Sequence, residues 1–444
     1  MILLMDHLLR GISAVDGSPF YSFLQSFDQA ILQCFLQIIG AQNLTQDTIT
    51  QIRLPERLSG LGLLSGIDMS SPAFLGSSRQ AIFELIQRQA LTEVIHQTFT
   101  DNVSNLSSEI EWHRELRLSW ERYRGELNNM FENNNTPEWS NEVFMAMQPM
   151  RLQHRLFSAL VENKQKTLMN SSSPQDKIRI LSCSAVGSAA FLRAPAYLQG
   201  CMFSNEEFKI AIKTRINAPL NLLCPPRCVC GSVLEDNGDH LFKCRIGPEW
   251  ENRHSTLVHT MASILRSVNF IVQHEVPLSS LGPLRDLDDT GDGRMDLVVA
   301  SGDSTPILAD VTVIHPIPSR PISAGSQMTT PLYFAKYREN AKTTRYGDRA
   351  TQIHHAFIPM VFETFGAFGP QLNQFLKSIA GRAAHGSAQT YRTQLIRFWR
   401  VRLSACLQRA NARLILSKAN RIRSRSRQGP YPNPPPSQIE SSII

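Results

Sequence analysis

Two aspartates carry the first chemical signal. Asp296 lies in the run Gly293-Arg294-Met295-Asp296-Leu297-Val298-Val299, and Asp310 in Ile307-Leu308-Ala309-Asp310-Val311-Thr312-Val313, with 13 residues between them. Ala300 to Pro306 reads Ala-Ser-Gly-Asp-Ser-Thr-Pro, which is turn chemistry, so the two runs predict a β-hairpin. Such a hairpin can set Asp296 and Asp310 side by side at the edge of a buried sheet. At ~4 Å two unit charges repel by roughly 4 kcal/mol at an effective dielectric of 20, so the pair needs a proton, a basic partner or a divalent cation. The productive option is Mg²⁺ or Mn²⁺, which carboxylate oxygens and water suit and which can activate water for phosphodiester cleavage. The bland alternative is a pair of hairpin aspartates without chemistry.

A second cluster is denser. Cys228, Cys230, His240 and Cys244 give Cys-x-Cys-x9-His-x3-Cys within 17 positions. A tight turn around Gly231 presents two thiolates, and a His and Cys four apart share one helical face, which together can complete a tetrahedral zinc shell. Cys224 is a substitute ligand. Zinc would act structurally, supplying about 10 kcal/mol toward folding so small a knuckle. Arg227, Lys243 and Arg245 would make any contact to nucleic acid. Core cysteines are the competing explanation, but not a disulfide framework: the other cysteines are scattered, which suggests a reducing compartment.

These residues need elements to position them. Glu249 to Val268 reads as a helix, Phe270 to Val276 as a strand with Glu275 near its end, and Pro331 to Tyr346 as a helix. Ala356 to Glu363 reads as a further strand. Helix, strand, hairpin, helix, strand is the order of a restriction-endonuclease-like α/β core. In such a core an Asp and a second acid on the next strand hold the metal, and a lysine normally sits two residues after the second acid. Thr312 stands there instead, so the role passes to Lys342, on the same helical face as Tyr346, or to Lys336. Glu275 is the third acid candidate. Asp286 to Asp289 lacks the spacing and closing Glu of an EF-hand and reads as a solvated loop.

Upstream, residues 1–215 predict a mostly helical region. Apolar residues recur at helical spacing over Gln29 to Ile39, Arg79 to Ile95, Trp112 to Phe131 and Asn141 to Ala159, the last split at Pro149. Ile52 to Leu63, with Pro55, Gly60 and Gly62, reads as an extended, tightly turned packing element. Asp28 and Arg53 are minor candidates for nucleic-acid contact, with a structural role as the alternative. The first ten residues mix charge into an apolar run, which predicts a helix and not a signal peptide.

Composition agrees with this layout. With 444 residues, 42% of them hydrophobic, the chain has room for two or three domains with real cores. The formal net charge is +7, and from Gly386 to Gln428 there are eleven Lys or Arg and no Asp or Glu. That segment predicts a basic amphipathic helix, residues 386–428, followed by a disordered Pro-rich tail, residues 429–444. Arg294, Arg397, Arg400, Arg409, Arg413, Arg421, Arg423 and Arg425 are the candidate nucleic-acid contacts, which would raise affinity without reading sequence. The same charges suit nuclear localisation. No apolar run reaches membrane-spanning length.

Several of these segments resemble, in order, the C-terminal half of non-LTR retrotransposon reverse transcriptase polyproteins. Phe27-Asp28, Leu54 to Leu63 and Ser71 to Ser77 look like the segment following the polymerase palm, which implies a thumb-like helical region. The Cys-Cys-His-Cys knuckle, here residues 216–246, and a restriction-endonuclease-like domain, here 247–385, come next in the site-specific members. Arg253-His254, Glu275, Arg294-x-Asp296, Asp310-Val311-Thr312-Val313-x-His315-Pro316, Lys342-x3-Tyr346-Gly347 and Glu363-Thr364-Phe365-Gly366 are similar to parts of that pattern. The resemblance covers roughly residues 20 to 385. It implies a metal-dependent endonuclease acting on target DNA, with element RNA as a further partner and no small-molecule substrate. Met295 replaces the usual proline before the first Asp. No aromatic-x-Asp-Asp strand occurs, so DNA synthesis by this chain alone is not expected. The alternative is an inactive nucleic-acid-binding remnant.

Overall fold

The structure, a computed structural model, describes residues 8–14, 16–88, 111–128, 137–281, 293–302, 305–318, 325, 329–384 and 389–426. Asp286 to Asp289, the ends of the helices read as far as Ile95 and Phe131, and the tail 429–444 lie outside them. Internal contacts divide the chain into two units, Met1–Ser171 and Ser172–Ile444. The division comes earlier than residue 215 because the helices after Ser172 pack on elements further along the chain.

The first unit is helical, and its helices begin where the sequence supplies caps. Helix α1 (Pro19–Ile39) starts with Ser18 accepting from the Tyr21 amide and ends on left-handed Gly40. It begins ten residues before the apolar spacing alone indicated, because Pro19 at the first position favours initiation. Helix α2 (Gln46–Arg53) runs into the turn read from Pro55, Gly60 and Gly62. There a Cβ on Gly60 would meet the Leu54 carbonyl oxygen at 1.8 Å, so only glycine fits, and Leu54 and Leu58 are buried as a packing element requires. Helix α3 (Gly66–Gln87) starts well before Arg79 and carries Pro72 within its first two turns. The Asp28 carboxylate accepts from the Gly66 amide at 2.8 Å and from the Ser65 hydroxyl at the start of α3. It is buried, so its role is that of a cap and not of a nucleic-acid contact. Helices α4 (Glu111–Asn128), α5 (Asn141–Ala146) and α6 (Leu152–Ser171) come next, the last two split at Pro149 as the sequence predicts. With α3 they share a core that includes Phe74, Leu116, Trp120, Phe144 and Leu160.

The second unit is layered. Helices α7 (Pro174–Ser184), α8 (Asn205–Arg215) and α9 (Asp239–Lys243) precede α10 (Glu249–Arg266), β1 (Ile271–Pro277), β2 (Arg294–Ala300) and β3 (Ile307–Ile314). Then come α11 (Tyr333–Gln352), β4 (Ala356–Glu363), α12 (Pro370–Ala383) and α13 (Gln389–Ser426). Helix, strand, hairpin, helix, strand is the order expected from the sequence. The sheet order is β1-β2-β3-β4. β1 and β2 pair antiparallel, as do β2 and β3, whereas β3 and β4 are parallel and joined through α11. One face of the sheet packs on α10, α12 and α13 through Leu257, Met261, Leu297, Val311, Phe362, Leu376 and Trp399. The other face meets α11 through Leu308, Ala350 and Phe357.

The last helix corrects the sequence reading. The sequence predicts a basic amphipathic helix with one apolar face, yet α13 is buried on several sides, at Trp399, Leu403, Leu407, Leu414, Ile415, Lys418 and Ile422. Its apolar residues run around the helix because its neighbours change along its length. It is the spine of the second unit, packed in turn on α12, α10, α8 and α9.

Candidate metal centre and acid cluster

The Cys-His cluster forms on a short turn and a short helix. The Cys228 amide donates to Ser232 O at 2.8 Å and the Gly231 amide to Cys228 O at 2.9 Å. Gly231 at φ +88 closes this turn so that Cys228 and Cys230 face one point. Helix α9 brings His240, and Cys244 sits at its C-cap. Ligand atoms of Cys228, Cys230, His240 and Cys244 all lie within 4.8 Å of one another, and this is the only such group of three or more His, Cys, Asp or Glu among the described residues. The Cys228 and Cys244 sulfurs are 3.8 Å apart, about the edge of a tetrahedron with ~2.3 Å zinc–sulfur bonds. The cluster can therefore bind a metal such as zinc. Hydrogen bonding from Cys228 holds the Cys244 thiol low, with His240 and the Lys418 ammonium adding to the pull. Cys224 stands apart, its thiol pointing to the Leu222 and Ala419 carbonyls.

Two features that the sequence reading missed support this turn. Lys418, buried in α13, donates to the carbonyls of Leu241 at 2.9 Å and of Cys244, tying the end of α9 to the spine. Arg179 on α7, 1% exposed, donates to both carboxylate oxygens of Asp239 at 3.4 and 3.1 Å and lies 4.7 Å over the Phe365 ring. His315, just past β3, lies 3.6 Å from Asp239, stacks on Phe242 and is hydrogen-bonded through Nδ1 to Thr364 at 2.8 Å. Burial pushes its pKa well down. The Cys-His turn is thus anchored to the ends of β3 and β4 through one buried polar network. Lys418 falls in the buried i, i+4 series 414, 418, 422, and that periodicity was the available signal.

At the sheet, the β2–β3 ladder stops at Leu297 opposite Ala309 while β1 keeps pairing as far as Arg294. The strands fork there because the Asp296 side chain replaces the backbone: its Oδ2 accepts the Val311 amide at 2.5 Å. The same oxygen is 3.1 Å from His254 Nε2 on α10. Asp310, 7% exposed, accepts from Lys342 Nζ at 2.7 Å on one oxygen and from Thr312 Oγ1 at 2.8 Å on the other. Thr312, the departure from the expected lysine, thus hydrogen-bonds the acid two residues before it, and Lys342 reaches from α11 with its ammonium 5.5 Å from the Tyr346 ring centre.

The sequence candidates separate accordingly. Asp296, Asp310 and Lys342 gather at the fork. Glu275 falls opposite Asp296 by register, exposed on β1 with φ +49. Lys336 is exposed and Arg294 lies at the outer end of β2. His254 is held protonated to higher pH, first by its hydrogen bond to Asp296, with the charges of Asp310 and Glu275 adding. The two aspartates do not share one ligand: each carboxylate has its own cation or proton donor.

The arginines of α13 are largely engaged within the chain. Arg400 donates to Asn373 at 2.7 Å, Arg409 to Gly200 O at 2.5 Å, Arg413 to Glu207 at 2.6 Å and Arg421 to Ile246 O at 3.0 Å. Arg423 bonds Asn420 in its own turn, while Arg397 and Arg425 are exposed. Among the described residues no helix is long and apolar enough to cross a membrane. The chain matches no protein-family model and no curated protein sequence.

Proposed function

We propose that the second unit is a restriction-endonuclease-like domain that hydrolyses DNA phosphodiesters with a divalent cation, of the kind the retrotransposon resemblance implies. The observation that carries this reading is the fork between β2 and β3, where Asp296, Asp310, Lys342 and His254 meet on a mixed sheet flanked by helices. Asp296 and Asp310 supply carboxylate oxygens, the ligand type that Mg²⁺ and Mn²⁺ take, and Glu275 on β1 is a further acid for such an ion. A cation held there supplies Lewis-acid activation of a phosphate oxygen and a water. Lys342 holds Asp310 in place and offers positive charge to a bound phosphate. His254 keeps a proton on Nε2 toward Asp296, fixing that carboxylate. The Cys-His cluster holds structural zinc, and exposed Arg397 and Arg425 meet the DNA backbone. The protein works in the nucleus, where that DNA lies.

One observation favours a second reading. Both oxygens of Asp310 already have partners, which suits a domain that binds nucleic acid without cutting it. Incubation with supercoiled plasmid and Mg²⁺ or Mn²⁺ separates the two. Nicking that EDTA abolishes and Asp310→Ala removes supports the endonuclease, whereas salt-dependent binding without nicking under either metal supports the binding domain.

A further inference from the structure

Helices α10 and α13 enclose, with the turn Gln199 to Cys201, a cleft of about 430 Å³, within the range of small-ligand sites. None of its lining residues belongs to the acid cluster or the Cys-His cluster. Arg402, Arg409 and Arg413 line it from α13, and Glu249 and Arg253 from α10.

Two of these side chains carry buried polar atoms without a partner, Arg253 Nε and Glu249 Oε2, whereas Arg409 Nε lies 3.7 Å from Glu207 Oε2. Arg253 is 7% exposed and its Nη1 is committed to Asn411 at 3.1 Å. Glu249 Oε1 is already taken by Ser417 and Arg421. The charges are unequal as well. Glu207 serves both Arg409 and Arg413, and Glu249 serves Arg421, so neither Arg253 nor Arg402 has a carboxylate among the described residues. A buried polar group without a partner demands explanation by a ligand or water. Here the unmet donor of Arg253 and a positive surplus ask for an anion, and the unmet acceptor asks for a hydroxyl or amino group on the same molecule. Guanidinium groups match phosphate oxygens in planar geometry.

We propose that this cleft binds a nucleoside phosphate, either free or as the 5′-phosphorylated end of a strand. Arg253 and Arg402 receive the phosphoryl group, Arg409 adds charge beside it, and Glu249 Oε2 accepts from a sugar hydroxyl or base amino group.

The test is calorimetric titration of the full, zinc-loaded chain with adenosine 5′-monophosphate, adenosine, inorganic phosphate, and a short oligonucleotide with and without a 5′-phosphate. The expected result is binding by the phosphorylated probes, with unphosphorylated counterparts at least ~10-fold weaker. A tighter monophosphate assigns the free nucleotide, and a tighter phosphorylated oligonucleotide assigns the strand end. Arg402→Gln, which leaves the core untouched, should weaken binding by about tenfold, with Arg402→Lys losing less. The proposal is overturned if no probe binds in a phosphate-dependent way. Affinity unchanged in both Arg402→Gln and Arg409→Gln, with folding verified by circular dichroism, overturns it equally.

Discussion

Removing the Asp239 carboxylate should unfold the second unit far more readily than its small size suggests. In Asp239→Ala the Arg179 guanidinium, 1% exposed, loses both hydrogen bonds that hold its charge. The remaining neighbour, Asp176, is 3.6 Å away and partly exposed. An uncompensated buried charge of this kind costs about 3–5 kcal/mol. For a unit of this length each kcal/mol moves Tm by roughly 2–4 °C, so the drop should be on the order of 10 °C. Replacing both partners by apolar residues, Arg179→Met with Asp239→Leu, should recover most of that loss, since the cost lies in the orphaned charge. Urea and thermal melts followed by circular dichroism measure both. A loss below about 1 kcal/mol in Asp239→Ala, or a double variant no better than the single, refutes the reasoning.

The Cys-His cluster should carry one zinc per chain by atomic absorption, lost in Cys244→Ala and removed by a strong chelator with a fall in stability of several kcal/mol. Buried Glu339, whose carboxyl is pushed up to about 7 by burial, gives a pH signature. Its folded pKa lies above its unfolded value, so its contribution is fully present below about pH 4.5 and is lost as pH rises through about 7. Glu339→Gln should therefore stabilise the protein at pH 8 by roughly 2–3 kcal/mol and show no gain below pH 5, as melts at the two pH values will show. Gly187 sits at φ +92 with the Phe368 ring 2.5 Å from where a Cβ would be. Gly187→Ala should cost about 2–4 kcal/mol in urea unfolding, from backbone strain and overpacking together.

Much of the second unit was legible in the sequence because its signals are local. β4 matches its predicted bounds, β3 runs one residue further than read and β2 is shifted by one residue at each end, since aliphatic runs bounded by turn residues define strands without outside help. Cysteine spacing placed the four ligand-type side chains for the same reason. What escaped is non-local. The burial of α13 depends on successive neighbours on several sides, which the basic composition concealed. Arg179 and Asp239 lie 60 residues apart, and nothing in either segment announces the other. Lys342 was legible as a candidate through its spacing from Tyr346. The partition of Asp296 to His254 and Asp310 to Lys342 was not, because it depends on which helix covers each face.

The central claim, that the fork between β2 and β3 holds a catalytic divalent cation, is met most directly by titrating zinc-loaded protein with Mn²⁺ under electron paramagnetic resonance. A catalytic fork predicts one Mn²⁺ per chain in the native protein and none in the doubly substituted Asp296→Asn, Asp310→Asn protein, with zinc content and circular dichroism unchanged. Equal Mn²⁺ uptake by both proteins, or no uptake by the native one, would contradict it.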